Sequence, residues 1–174
     1  MLGAMTEPIS PGERFAEPRA WEADAESGPH IWRTLGYRRT DWRPGSTSIE
    51  WTATPEYCFP TAHGAVVQGG LVTALLDAAM GGACWTVLDN DQVFLTADLR
   101  VEFLRASRPG LLSATGTVVR RTRRVVFCAA EMHDADGVLL ASSRCTQVVL
   151  PDAGPFGRHG TADSSGAPPE DARG

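Results

Sequence analysis

Apolar and polar residues alternate through residues 46–54: Ile49, Trp51 and Ala53 share one side, and Ser48, Glu50 and Thr52 the other. A period of two with one apolar face predicts a half-buried strand. A proline-flanked loop over 55–63 follows, and then an apolar stretch runs over 65–88. That stretch is too long for a strand and rich in Ala and Leu, which predicts a helix over 68–88. After Asp89-Asn90-Asp91 the period returns to two. Leu95, Ala97, Leu99, Val101 and Phe103 fall on one face, and Thr96, Asp98, Arg100 and Glu102 on the other. Arg108-Pro109-Gly110 reads as a turn. Strands are predicted over 111–120 and 124–133 around an arginine-rich corner, and a closing strand over 138–150 after the Asp134-Ala135-Asp136-Gly137 turn. A strand, a long helix and strands in hairpin order predict an α+β fold with an antiparallel sheet. The helix is apolar almost all round, so a sheet curled around it is expected to cover most of its sides.

The 174 residues carry 16 basic and 21 acidic side chains, a net charge of -5 that disfavours a nucleic-acid partner. All the basic residues are Arg. With no lysine, Schiff-base chemistry and a P-loop are excluded. Cys58, Cys84, Cys128 and Cys145 show no metal-ligand spacing, so no metal is expected, and three of them sit in apolar runs as reduced thiols of a cytoplasmic protein would. Residues 1–29 read as a polar N-terminal extension with room to be flexible, 30–151 as the folded domain, and 152–174 as a tail expected to be disordered. A membrane span over the apolar stretch is disfavoured by Gln68, Thr73, Asp77, several glycines and the lack of basic flanks.

Asp77 is the only charged residue between Gly64 and Leu88. A carboxylate on an apolar helix is costly unless solvated or bonded, so it calls for a reason. A local hydrogen bond is one reason; chemistry is another. Gln68-Gly69-Gly70 opens the helix, and Gly70, Thr73, Asp77 and Gly81 line up on one narrow face. Bare N–H groups at a helix start suit an oxyanion, and together with a carboxylate they can bracket a reacting carbonyl.

The run Val67-Gln68-Gly69-Gly70-Leu71-Val72-Thr73-Ala74-Leu75-Leu76-Asp77-Ala78-Ala79-Met80-Gly81 resembles the hotdog-fold acyl-CoA thioesterases of the PaaI-like group. The strand Leu95-Thr96-Ala97-Asp98-Leu99-Arg100-Val101-Glu102-Phe103-Leu104-Arg105 and the turn Arg108-Pro109-Gly110 match as well. The resemblance implies a hotdog fold, an antiparallel sheet wrapped around a long central helix, in a homodimer or tetramer. It implies hydrolysis of an acyl-CoA thioester with no cofactor, coenzyme A being part of the substrate. Asp77 would be the general base or nucleophile, Gly69 and Gly70 the oxyanion-forming turn, and Gln68 a group near the thioester carbonyl. Thr96 would position the attacking water, typically from the opposite subunit. Relatives often place an Asn in the loop before the Gly-Gly turn. Here Thr61-Ala62-His63-Gly64 stands instead, and His63 is the candidate substitute.

Arg120, Arg121, Arg123 and Arg124 surround one strand turn. They read either as a solvated hairpin corner or as a dock for the coenzyme A phosphates, with Arg120, Arg123 and Arg124 as the candidates and Arg105 and Arg108 able to join. A serine hydrolase is disfavoured because no Gly-x-Ser-x-Gly elbow exists. A hotdog dehydratase is disfavoured because no Asp precedes a His at short spacing. A non-catalytic acyl-CoA-binding or regulatory hotdog protein is the alternative from another class.

Overall fold

Alternation of apolar residues builds one large sheet, and a 3.6-residue apolar stripe lays a single long helix across it. A computed structural model of the chain describes residues 9–16 and 30–151. The elements, in chain order, are α1 (Glu13–Ala16), α2 (His30–Leu35), β1 (Arg38–Arg43), β2 (Ser46–Ala53), a one-turn helix (Pro55–Tyr57), β3 (Cys58–Thr61), β4 (Gly64–Val67), α3 (Gly69–Trp85), β5 (Gln92–Phe103), β6 (Gly110–Arg121), β7 (Val125–Asp134) and β8 (Leu139–Pro151). Six strands form an antiparallel sheet in the order β1-β2-β6-β7-β8-β5, and β3 and β4 form a separate hairpin. This is the antiparallel sheet with one long helix expected from the pattern, and the hotdog arrangement that the resemblance implies, with α3 packed against the sheet.

α3 buries Val72, Leu75, Leu76, Ala79, Met80, Ala83 and Cys84, a stripe at helical spacing. They meet Ile49 and Trp51 from β2, Leu112 from β6 and Met132 from β7, all essentially inaccessible to water. The sheet does not wrap the helix fully. Gly70 is exposed, and Thr73, Asp77 and Gly81 are half-buried, so the narrow face singled out in the sequence stays partly open in this chain. Helix and sheet approach most closely at Gly116 on β6. A Cβ there would lie 2.3 Å from the Ala79 carbonyl oxygen and 2.6 Å from the Met80 nitrogen. Backbone cannot yield as a side-chain tip can. Gly116→Ala is therefore expected to destabilise the fold by about 3 kcal/mol or more, measured as a fall in the urea midpoint, since overpacking of this kind typically reaches or exceeds ~1–3 kcal/mol. A midpoint unchanged from the parent would show that the two layers separate easily.

Four features differ from the pattern reading. β1 extends the sheet before the first expected strand, joined to β2 by a turn in which Gly45 takes φ +74°. The apolar run over 65–88 is not all helix, because Gly64–Val67 pairs back on Cys58–Thr61 before Gln68 caps α3. β5 carries a bulge between Thr96 and Asp98. Phe94 and Thr96 therefore face the helix together with Leu99 and Val101, whereas strict alternation puts Leu95 on that face; Leu95 is instead 59% exposed. Part of the N-terminal extension is docked. Gly12 and Arg14 donate their backbone N–H groups to the Thr86 and Leu88 carbonyls. The buried Arg14 guanidinium donates to the Asp89 and Asn90 carbonyls and lies over the Trp85 ring. The rest of that extension, 1–8 and 17–29, and the expected disordered tail 152–174 lie outside the described residues.

Candidate active site

Asp77 stands midway along α3, where its backbone is fixed by the stripe packed beneath it. Across from it the β5 bulge turns Thr96 inward. The Thr96 hydroxyl lies 3.1 Å from Asp77 Oδ1 and 3.0 Å from Gln147 Oε1 on β8. Burial pushes the Asp77 carboxyl above its ordinary value, and the hydrogen bond from Thr96 pulls part of the way back. A carboxylate that is half desolvated and held by one hydroxyl is a better proton acceptor than a solvated one. The resemblance implied that Thr96 arrives from the opposite subunit. In this structure Thr96 pairs with Asp77 of its own chain, because the bulge re-aims it.

Gly69 and Gly70 occupy the first turn of α3. The Leu71 and Val72 N–H groups donate to the Gln68 carbonyl, and Gln68 Oε1 accepts from Leu71 N at 3.0 Å as the helix cap. Among the described residues no hydrogen bond uses the Gly69 or Gly70 N–H. Gly70 is needed for the cap itself, since a Cβ there would lie 2.8 Å from Gln68 Oε1. The role expected of Gln68, next to a carbonyl, is thus shared with a structural one, and only its amide nitrogen is left for a ligand.

An apolar groove of about 390 Å³ opens beside this helix start. Phe59 of β3, Val67, Gly69, Val72, Phe103 of β5 and Arg105 line it. Met80 belongs to the core and Trp85 lies under Arg14, so neither reaches the groove. His63 sits exposed in the β3–β4 turn. Its backbone carbonyl accepts from Arg108 at 2.6 Å, and no described contact brings its ring to Asp77 or to the glycine pair.

The arginine corner lies at the other end of the helix. Arg121 pairs with Asp89, just beyond the C-terminus of α3, at 2.9 Å. Arg120, Arg123 and Arg124 are exposed around the β6–β7 turn. A 17-residue helix is ~25 Å long, so this corner is well removed from Gly69 within one chain. Among the described residues no group of His, Cys, Asp or Glu is placed to hold a metal ion, and no helix is long and apolar enough to cross a membrane.

Gln147 went unnoticed in the sequence. The available signal was parity: it shares its face with Ala141, Ser143 and Cys145, the core-facing side of β8, and is fully buried there.

Residues 63–141 match the model of the thioesterase superfamily. A candidate esterase of Saccharolobus solfataricus is 29% identical over 126 residues, 72% of this chain and 86% of its own length. The medium/long-chain acyl-CoA thioesterase YigI of Salmonella typhimurium is 28% identical over 97 residues, 48% of this chain; the match spans 63% of that protein. Among solved structures, a phenylacetic acid degradation-related protein of Ralstonia eutropha, itself described as a candidate thioesterase, superposes with a TM-score of 0.63. It is 29% identical and covers 69% of this chain and 89% of its own. A carboxylate on the long helix, a glycine pair at its start and a matching superfamily model agree: the chain is similar to the PaaI-like thioesterases of hotdog fold and is a thioester hydrolase.

Proposed function

We propose that the substrate is an acyl-CoA and that Asp77 acts as general base. The observation that carries this reading is the Asp77–Thr96 pair, a half-buried carboxylate bonded to one hydroxyl on an otherwise apolar helix. The names of the enterobacterial relatives and the apolar groove beside Gly69 support the acyl-CoA part. Asp77 takes a proton from a water positioned by Thr96, and the water oxygen attacks the thioester carbonyl. The N–H groups at Gly69 and Gly70 hold the oxyanion. Collapse of the tetrahedral intermediate expels the coenzyme A thiolate, which is protonated to the free thiol.

One chain is not enough for this. Gly70 and Asp77 are seven residues apart on one helix, ~10 Å along its axis, whereas both must lie within about 3 Å of reacting atoms. The glycine pair of one copy and Asp77 of a second complete the site, in a homodimer or a tetramer built from it. It is the glycine turn rather than Thr96 that calls for the second copy. The unpaired long edge of β5 gives such a copy a place to join. Four free thiols, three of them buried, suit a reducing, cytoplasmic compartment.

The second copy also gives the arginine corner a purpose, since it lies far from the glycine turn of its own chain. If it docks the nucleotide phosphates, Arg123→Ala and Arg124→Ala are expected to raise KM for acyl-CoA about ten- to a hundredfold per engaged arginine with kcat nearly constant. A truncated pantetheine thioester never reaches the corner and serves as the control. Release of free thiol from acyl-CoA tests the function itself. An intact, folded protein that binds acyl-CoA without releasing thiol would overturn it. Variants that treat both substrates as the parent does would return these arginines to the solvated hairpin.

A further inference from the structure

The groove, the helix start and Asp77 leave one buried polar group beside the site without a use. Gln147 is inaccessible to water, on a face of β8 that otherwise presents Ala141, Ser143, Cys145 and Val149. A carboxamide is costly to bury unless its hydrogen bonds are made. Gln147 makes two: Nε2 donates to Cys145 Sγ at 3.1 Å, and Oε1 lies 3.0 Å from Thr96 Oγ1, its register partner on β5. Thr96 Oγ1 therefore sits between two acceptors, Gln147 Oε1 and Asp77 Oδ1. A threonine hydroxyl has one proton and cannot donate to both at once.

That restriction matters when Asp77 changes protonation state. With Asp77 ionised, the Thr96 proton points to the carboxylate. Once Asp77 has taken a proton, its own O–H needs an acceptor, and Thr96 Oγ1 can accept it only by turning its proton elsewhere. Gln147 Oε1 is the acceptor in that direction. We propose that Gln147 is a positioning residue for hydrolysis, the alternate acceptor that lets Thr96 follow Asp77 through proton uptake. It acts on the reaction only through Thr96, and it rests on the reading of Asp77 as general base.

Asp77 meets few other titratable groups from the elements packed around it. From β8 it faces the Cys145 thiol, held above its ordinary value first by its hydrogen bond with Cys128 and then by burial, with the Asp77 charge adding. Cys128 on β7 and Cys84 on α3 lie behind Cys145. The inward residues of β2 (Thr47, Ile49, Trp51, Ala53) and of β6 (Leu112, Ala114, Gly116, Val118) carry no charge, nor do Phe94, Leu99 and Val101 on β5.

The two substitutions have opposite signs. Thr96→Val removes a donor to the carboxylate and raises the Asp77 midpoint. Gln147→Met removes the acceptor that serves the neutral acid, so the neutral form is disfavoured and the midpoint falls. The expected fall is about half a pH unit to one unit, with kcat down about tenfold and KM unchanged. Gln147→Asn keeps an amide but withdraws it by one methylene, and gives the same sign should the Met variant fold poorly. In the Thr96→Val/Gln147→Met double variant the midpoint equals that of Thr96→Val alone, because Gln147 has no other route to Asp77. The measurement is the carboxyl ¹³C titration of Asp77 in the five proteins, with kcat and KM against pH beside it. An unshifted midpoint in both Gln147 variants, or single-variant shifts that simply add in the double, would overturn the proposal. Full activity in Asp77→Asn would overturn the general base and with it any role in hydrolysis. The ¹³C midpoints keep the two failures apart, since they read the link from Gln147 to Asp77 whether or not it serves catalysis.

Discussion

Replacing Asp77 with asparagine is expected to lower kcat by about 10²-fold or more, the scale of a general base, while the fold is kept. Asn preserves the shape and can still accept the Thr96 proton, so what is lost is the capacity to take a proton from water. The pH profile of the parent carries the matching signature. Burial raises the Asp77 pKa above its ordinary value, and Thr96 only partly offsets it. The acid limb of kcat/KM is therefore expected above the pKa of a solvated Asp, and higher again in Thr96→Val. Stability follows with a definite sign. A carboxyl whose folded pKa is raised favours the fold below its unfolded pKa, and that contribution is lost as pH rises through the folded pKa. At neutral pH the ionised Asp77 is a burden to the fold, so Asp77→Asn is expected to be slightly more stable than the parent there and indistinguishable from it in acid. Thiol release by the folded variant at the parental rate would remove Asp77 from the reaction.

Gly69→Pro is expected to lower kcat by about 10²–10³-fold, the loss found when one oxyanion donor is removed. Proline is the substitution that takes away the N–H and little else. The first helical position has no intrahelical use for that group and accepts the proline ring. Gln68 before it already holds φ -61° and ψ 128°, the extended backbone that a residue before proline prefers. A Cβ at Gly69 meets only the Phe103 ring, at 3.4 Å. Circular dichroism and the oligomeric state are expected to match the parent. Mixing Gly69→Pro chains with Asp77→Asn chains gives a sharper reading. If the site is shared between copies, half the dimers become mixed and each holds one intact site, so activity returns to about a quarter of the parent's. Sites contained within single chains would give no recovery.

The helix and its acid were legible because an isolated carboxylate in an apolar run is a strong signal, and the four late strands were legible because alternation runs through most of each and turn residues separate them. The failures have local causes. β1 alternates Arg, Thr, Asp and Trp at the sheet edge, where one side chain need not be buried, so no apolar face announces it. The β3–β4 hairpin was missed because its first strand lies in a proline-flanked stretch that read as loop, and Gly64-Ala65-Val66-Val67 leads into the apolar run of the helix without a change of period. At Thr96 strict alternation gave the opposite facing, and the cause is a single extra residue in the strand, visible only through its pairing with β8. The direction of Thr96 decides whether Asp77 has a partner, so the least legible feature lies at the centre of the site.

The docking of Gly12 and Arg14 on the far end of α3 has a consequence during synthesis. The carbonyls of Asp89 and Asn90 that Arg14 grips come 75 and 76 residues later in the chain. At ~5–20 residues per second, the segment waits about 4–15 s after emerging before its partners have been made. Through that interval the carbonyls that the arginine grips, and the helix end it closes, do not yet exist. The clasp can thus be fastened only once α3 is complete, which makes it a late step in folding. An N-terminal fusion that slows the return of this segment would delay closure without touching a residue of the active site.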